Sequence, residues 1–288
     1  MTQIDLSNTK HGSILFEKQK NVKEKYLQQA YKHYLYFRRS IDGLEITNDE
    51  AIFKLTQAAN NYRDNVLYLF ESRPNSGQEA FRYTILEEFF YHLFKDLVKK
   101  KFNQEPSSIV MGKANSYVSL SFSPESFLGL YENPIPYIHT KDQDFVLGCA
   151  VDLKISPKNE LNKENETEIV VPVIAIECKT YIERNMLDSC AATASRLKAA
   201  MPYCLYIVAS EYMKMDQAYP ELTDIDEVFI LCKASVGERT ALKKKGLPPH
   251  KLDENLMVEL FHMVERHLNR VWWSPNEALS RGRVIGRP

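Results

Sequence analysis

The sequence predicts an α/β fold, a mixed central sheet flanked by helices, and three observations carry that expectation. Apolar residues recur at helical spacing from about residue 13 to residue 101. Two strand-like runs, residues 145–155 and 169–176, follow in the centre of the chain, separated by a polar stretch. After them come a helical pattern and two continuous apolar runs of buried-strand type, residues 203–209 and 228–232.

The elements are justified in order. In the first helical region Tyr26, Ala30, Tyr34 and Phe37 form one stripe. Arg73-Pro74-Asn75-Ser76-Gly77 is a strong breaker, and a second long helix is expected from about Gln78 to Lys100. Its face carries Phe81, Ile85, Phe89, Leu93 and Leu97, and Lys99, Lys100 and Lys101 suit the negative end of its dipole.

Short strands are expected at Val110-Met111 and from Tyr117 to Phe122, before the turn-like Glu132-Asn133-Pro134-Ile135-Pro136. Residues 156–168, polar apart from Leu161, read as an exposed hairpin tip between the two central strands. Thr180-Tyr181-Ile182-Glu183 has the form of a capping box, opening a helix with Met186, Cys190, Ala194, Leu197 and Met201 on one face and Pro202 as its stop. Beyond the last strand lie a Lys243-Lys244-Lys245-Gly246 turn, a helix from about Asp253 to Trp273, and a tail bearing Arg281, Arg283 and Arg287. The organisation expected is a helical region at 1–75, an α/β core at 76–235, and a C-terminal helix with a basic tail at 236–288.

Composition excludes several functions. With 37 Lys+Arg against 38 Asp+Glu, the chain of 288 residues is no basic nucleic-acid coat and no acidic tail. Only 10 residues are Gly, and neither GxGxxG nor GxxxxGKS/T occurs, which argues against a glycine-loop nucleotide site. Cys149, Cys178, Cys190, Cys204 and Cys232 are odd in number and lack CxxC, so free thiols are expected. No signal-peptide pattern and no long apolar run stands in the sequence, and a cytoplasmic protein without a membrane partner is expected.

One constellation carries chemistry. Asp144 opens the first central strand, and Glu177 and Lys179 end the second. Pairing those strands as a hairpin gathers all three at the end opposite the polar tip. Because side chains alternate, Glu177 and Lys179 share a face while Cys178 turns into the core. Two carboxylates and an ammonium are the set that metal-assisted phosphodiester hydrolysis requires.

Lys141-Asp142-Gln143-Asp144-Phe145-Val146-Leu147-Gly148 with Val173-Ile174-Ala175-Ile176-Glu177-Cys178-Lys179-Thr180-Tyr181 resembles the catalytic hairpin of the PD-(D/E)XK nucleases, type II restriction endonucleases among them. Glu177-Cys178-Lys179-Thr180-Tyr181, with Met186-Leu187 after it, is similar to the family that cuts interrupted CC-TNA-GC sites. That resemblance implies a restriction-endonuclease-like fold with a helical N-terminal extension and a C-terminal helix. It also implies Mg²⁺-dependent, sequence-specific cutting of double-stranded DNA to 5′-phosphate ends. Asp144 and Glu177, with the Cys178 carbonyl, would be the metal ligands, and Lys179 would orient or activate the water. Gln143 stands where the superfamily's name has proline, which leaves Asp142 a rival of Asp144. Asp144 is preferred because the apolar strand starts directly after it. Glu87 or Glu88 stands where an assisting helix glutamate is expected, and Glu88 is the preferred one. Cutting both strands implies a homodimer or a heterodimer with a related subunit.

Asp152-Leu153-Lys154 repeats the acidic-x-Lys triplet close by, so the triplet alone proves little. What distinguishes Glu177-x-Lys179 is context, a buried-type strand leading in and a capped helix leading out. Lys23, Lys25, Lys32, Arg38 and Arg39 read as the solvated back of a helix more readily than as a DNA contact, and so does the arginine tail. His262 and His267, five apart, do not share a helix face, and Trp272-Trp273 reads as a packing anchor. Two alternatives share these residues: a structure-specific repair or junction nuclease on the same fold, and a non-catalytic DNA-binding subunit.

Overall fold

The computed structural model describes residues 9–20, 25–71, 81, 84–102, 108–132, 136–155, 165–270 and 274–282. The expected breaker at 73–77, most of the hairpin tip, Lys23, Trp272, Trp273, Arg283 and Arg287 lie outside the described residues. Helices α1 (Lys10–Lys18), α2 (Lys25–Ser40), α3 (Asp49–Glu71) and α4 (Thr84–Phe102) precede the sheet. Strands β1 (Ile109–Phe122), β2 (Pro136–Ile155) and β3 (Asn165–Ile182) follow, with the short α5 (Phe127–Glu132) between the first two. Then come α6 (Arg184–Ala200), β4 (Leu205–Met213), β5 (Glu227–Ser235), α7 (Val236–Lys244), α8 (Glu254–Asn269) and α9 (Pro275–Arg281).

The sheet order is β1-β2-β3-β4-β5. The first three strands are antiparallel neighbours, and β4 and β5 run parallel to β3. Parallel pairing of β3 with β4 requires a crossover, which α6 supplies. β4 is buried along nearly its whole length, which explains its unbroken apolar run.

The principal core lies between the sheet and the helices of the N-terminal half. The α4 residues of the expected face, Ile85, Phe89, Leu93 and Leu97, are buried there, and so is Phe81, which stands in a turn before the helix begins at Thr84. In α2 the buried residues are Leu27, Ala30, Tyr34 and Phe37, so the stripe is displaced by one residue at its start. Full burial of each large apolar side chain contributes about 1.5–3 kcal/mol. A second core under the opposite face of the sheet holds Leu187, Cys190, Ala194 and Leu197 of α6 against Tyr206 and Val208.

The central hairpin has two registers. Phe145, Val146 and Leu147 pair with Ile176, Ala175 and Ile174, whereas Gly148 pairs with Pro172, leaving Val173 as an extra residue on β3. Such a bulge offsets the strands by one position. Continuing the inner register sets Asp144 opposite Glu177, whereas the outer register, extended to the same place, would set it opposite apolar Ile176. Gly148 permits the close approach, because a Cβ there would collide with the Val171 carbonyl oxygen.

Three local expectations are corrected. Thr180-Tyr181-Ile182-Glu183 is no capping box: Tyr181 and Ile182 still pair with Tyr212 and Met213 of β4, and Glu183, the N-cap, makes no side-chain cap bond. A capping box does occur at Ser235 and Glu238, opening α7, so Lys243 and Lys244 close a helix and the turn is at Gly246, φ +66°. The last long helix ends at Asn269, with Asp253 as its N-cap accepting from Leu256 N–H.

Candidate active site

Asp144, Glu177 and Lys179 meet at the open end of the β2–β3 hairpin. The backbone N–H of Cys178 donates to Asp144 Oδ2 at 2.9 Å, tying the aspartate to the middle residue of the Glu177-x-Lys179 triplet. Lys179 Nζ donates to Glu177 Oε1 at 2.5 Å and stands 3.5 Å from Asp144 Oδ2. Strand alternation puts Glu177 and Lys179 on one face and the Cys178 side chain, 1% exposed, in the core.

Electrostatics in the cluster follow from shared burial. Glu177 is raised above the usual carboxylate range, first by burial and then by the Asp144 charge, with Lys179 opposing. Burial works against the Lys179 ammonium, but Glu177 and Asp144 outweigh it and raise its pKa above the ordinary lysine value. Lys179 is therefore a protonated cation at neutral pH. Glu177 Oε2 is buried and has no hydrogen-bond partner.

The two helix glutamates separate cleanly. Glu88 is held within the helical bundle: its Oε2 accepts from Gly12 N–H at 2.8 Å and its Oε1 from the Tyr34 hydroxyl at 2.7 Å. Arg38 and His92 stand 3.5 and 3.6 Å from the same Oε1. Glu87 faces the hairpin instead. Both of its carboxylate oxygens are buried without hydrogen bonds, and Lys10 Nζ of α1 stands 3.9 Å away. Its pKa is pushed up to about 7, by burial first, with Asp144 and Asp142 raising it and Lys10 and Lys113 opposing. The structure thus does not bring the preferred Glu88 to the hairpin, because the α1–α2 bundle uses both of its oxygens.

Asp142 pairs with Lys113 of β1 at 2.6 Å, its side chain 56% exposed against 14% for Asp144. Lys10 and Lys113 are the residues that sequence reasoning missed. Nothing in their local sequence marks them, since only the docking of α1 and the turn of β1 bring them to these carboxylates. The decoy triplet is solvated, with Asp152 and Lys154 exposed and Lys154 paired to Glu166 at 3.2 Å. Arg38 donates to the Tyr34 hydroxyl at 2.8 Å and so is structural. His262 bonds Glu265 and Asp49, whereas His267 bonds the Tyr203 carbonyl. All five cysteines are free thiols.

Among the described residues no group of three or more His, Cys, Asp or Glu is disposed to hold a metal by itself. Among them, too, no helix is long and apolar enough to cross a membrane.

A mixed five-stranded sheet of this order, flanked by helices, is the α/β fold of a restriction endonuclease. The chain belongs to the Bpu10I restriction endonuclease family, which residues 78–284 match. It is a type II site-specific nuclease. A solved structure, the native BbvCI A2B2 tetramer at low resolution, resembles it with a TM-score of 0.67 at 17% sequence identity, covering 94% of this chain and 100% of that one. No curated protein matches the chain.

Proposed function

We propose that this nuclease hydrolyses double-stranded DNA in a Mg²⁺-dependent reaction, with Asp144, Glu177 and Lys179 as its catalytic group. The observation that carries this reading is the Lys179 ammonium bridging two carboxylates of opposed strands, one of them tied to the Cys178 backbone. The residues fit a hard divalent cation. Glu177 Oε2 and both Glu87 oxygens are buried acceptors without hydrogen-bond partners, and burial first, then the neighbouring carboxylates, raises the pKa of each residue. Mg²⁺ takes one or two carboxylates and completes its shell with waters and substrate phosphate, so an all-protein cage is not needed.

Asp144 and Glu177 would hold the ion, with the Cys178 carbonyl as a further oxygen. When bound, Mg²⁺ supplies charge to the phosphate and lowers the pKa of an attacking water. The side chains act around it. Lys179, kept protonated, orients the water and places a positive charge against the phosphate as negative charge develops there. Glu87, pushed up towards neutrality and buried beside Asp144, is suited to take up or give a proton within the cluster, and it replaces Glu88 as the assisting glutamate. In-line attack breaks the P–O3′ bond and leaves 5′-phosphate and 3′-hydroxyl ends.

One catalytic group cuts one strand. We infer that the working enzyme contains at least two subunits, identical or related, in keeping with the tetramer named for the BbvCI structure. The test is incubation with long duplex DNA of known sequence in Mg²⁺ and in EDTA, with the fragment ends sequenced. Discrete Mg²⁺-dependent cuts carrying 5′-phosphate are expected. Cutting at one position on one strand alone would mean that a second subunit is missing. Cleavage in EDTA, or a preference for branched DNA over duplex, would overturn the reading.

A further inference from the structure

Outside the catalytic cluster, a cleft of about 320 Å³ opens between the β1–β2 ribbon and α6. His139 and Lys141 line it from β2, and Ser189, Thr193 and Arg196 from α6. We propose that this cleft seats one backbone phosphate of the DNA, near the phosphate being cut, and that Lys141 and Arg196 clamp it. The inference rests on the proposed function and assigns the substrate contact beside the same catalytic group.

Charge is the first argument. No Asp or Glu lines the cleft, whereas Lys, Arg and His all do. The neighbouring cations Lys113, Lys179 and Lys198 are each neutralised by a carboxylate at 2.5–2.7 Å. Lys141 and Arg196 have no such carboxylate partner among the described residues. Two cations converging on a recess without counter-ions leave it set for an external anion.

Placement is the second argument. Lys141 is three residues before Asp144 on the same strand, and its charge acts on Glu177. At the other wall, Cys190 of α6 lies within electrostatic reach of Glu177 and Asp144. Arg196 stands six residues further along, about 9 Å at 1.5 Å per residue. Ala175, two residues before Glu177, packs with α6, so the cleft opens on the same side of the sheet as Glu177, where one DNA strand can meet both.

The donor set is the third argument. Ser189, Thr193 and Arg196 lie three or four residues apart and so share one face of α6. Thr193 Oγ1 donates to the Ser189 carbonyl at 3.0 Å, leaving the Ser189 hydroxyl and the Arg196 guanidinium for the cleft. A guanidinium fork with a hydroxyl and an ammonium offers several donors to the two non-bridging oxygens of a phosphodiester. Such contacts hold the DNA in place and read no base.

The test uses the wild-type enzyme with any co-purifying subunit, and Lys141→Gln, Arg196→Gln and the double variant. Binding to duplex DNA is measured in Ca²⁺ across a salt series, beside cleavage in Mg²⁺. Each single variant is expected to weaken binding uniformly across sequences, with KM rising and kcat nearly unchanged. Two residues on one phosphate should together lower the slope of log K against log salt by about 1, and not by about 2. A slope reduced by about 2 would place them on separate phosphates and overturn the clamp. Wild-type affinity and slope in the double variant would overturn the cleft as a DNA site altogether. Thermal stabilisation by millimolar inorganic phosphate that the double variant loses, with DNA binding unaltered, would assign the cleft to a free anion and overturn it equally. Failure of the wild-type enzyme to bind duplex at all is a separate result, read in the same experiment: it overturns the functional reading first and the clamp with it.

Discussion

The Cys178 backbone N–H donates to the Asp144 carboxylate at 2.9 Å, and this bond holds the first acidic residue of the hairpin against the Glu177-x-Lys179 triplet. A hydrogen bond to a charged acceptor contributes about 1.5–3 kcal/mol. Asp142 has no such anchor and is spent on Lys113. Asp144→Asn is therefore expected to abolish cutting while Asp142→Asn leaves most of it. Single-turnover cleavage of both variants decides, and an inactive Asp142→Asn beside an active Asp144→Asn would reverse the assignment.

Lys179→Ala should lower the cleavage rate by at least ~100-fold, the scale for loss of a group acting on developing charge. Binding in Ca²⁺ should persist, since the phosphate backbone and not this one ammonium carries most affinity. A Lys179→Ala enzyme of full activity would place the chemistry elsewhere.

The adjacent glutamates should respond in opposite ways. Glu88→Gln withdraws a buried charge from Gly12, Tyr34 and the nearby Arg38, and it should cost stability, about 3 kcal/mol on the scale for breaking a buried ionic contact. Glu87→Gln removes a carboxylate that burial already penalises. It should leave the melting temperature equal or higher while slowing cleavage. Thermal denaturation paired with single-turnover rates separates the two.

Buried Arg63 of α3, fully inaccessible, pairs with Glu211 of β4 at 2.7 Å and also donates to Asn60 and the His250 carbonyl. Arg63→Ala should destabilise by about 3–5 kcal/mol, because it strands Glu211 in the core. Replacing both, as Arg63→Met with Glu211→Leu, should recover most of that loss. Chemical denaturation of the single and double variants measures the coupling.

Stability should fall on mild acidification. His11 is fully buried between the Thr84 and Tyr62 hydroxyls, near Tyr34 and Glu88, and burial lowers its pKa from 6.5 to about 4 against the pull of Glu88. The unfolded chain then binds the extra proton between pH 6.5 and 4. Over that window the contribution lost is on the order of 3 kcal/mol. Glu88, whose pKa is lowered despite burial by His92, His11 and Tyr34, adds a loss of the same sign below its ordinary range. His11→Gln should flatten the upper part of the stability profile between pH 7 and 5.

Much of this was legible in the sequence where pattern and burial coincide. The α4 stripe, the β4 run and the alternation about Cys178 each reflect one face against one core. β1 and the first half of β2 were not legible as long strands, because their pairing continues into a ribbon with little apolar burial, from Ser119–His139 to Phe122–Pro136. Thr180 misled because pairing with β4 overrides a local capping signal. Glu87 and Glu88 differ by about 100° around a helix, and only the docked α1 shows which one faces the strands. Whether the chain divides at 75 and 235 is likewise beyond local pattern, since one buried cluster runs from Leu15 to Val264.

The Asn60 side chain donates to the Leu252 carbonyl and accepts from the Leu252 N–H, joining residues 192 positions apart. During synthesis β2 and β3 leave the ribosome well before this clasp can close. A chain halted ahead of residue 252 has α1 to α4 and the sheet but lacks α8, and its Asn60 makes neither bond to Leu252. Closing a loop of this length orders a long stretch of chain in one step, while the entropic cost of bringing its ends together grows only slowly with their separation.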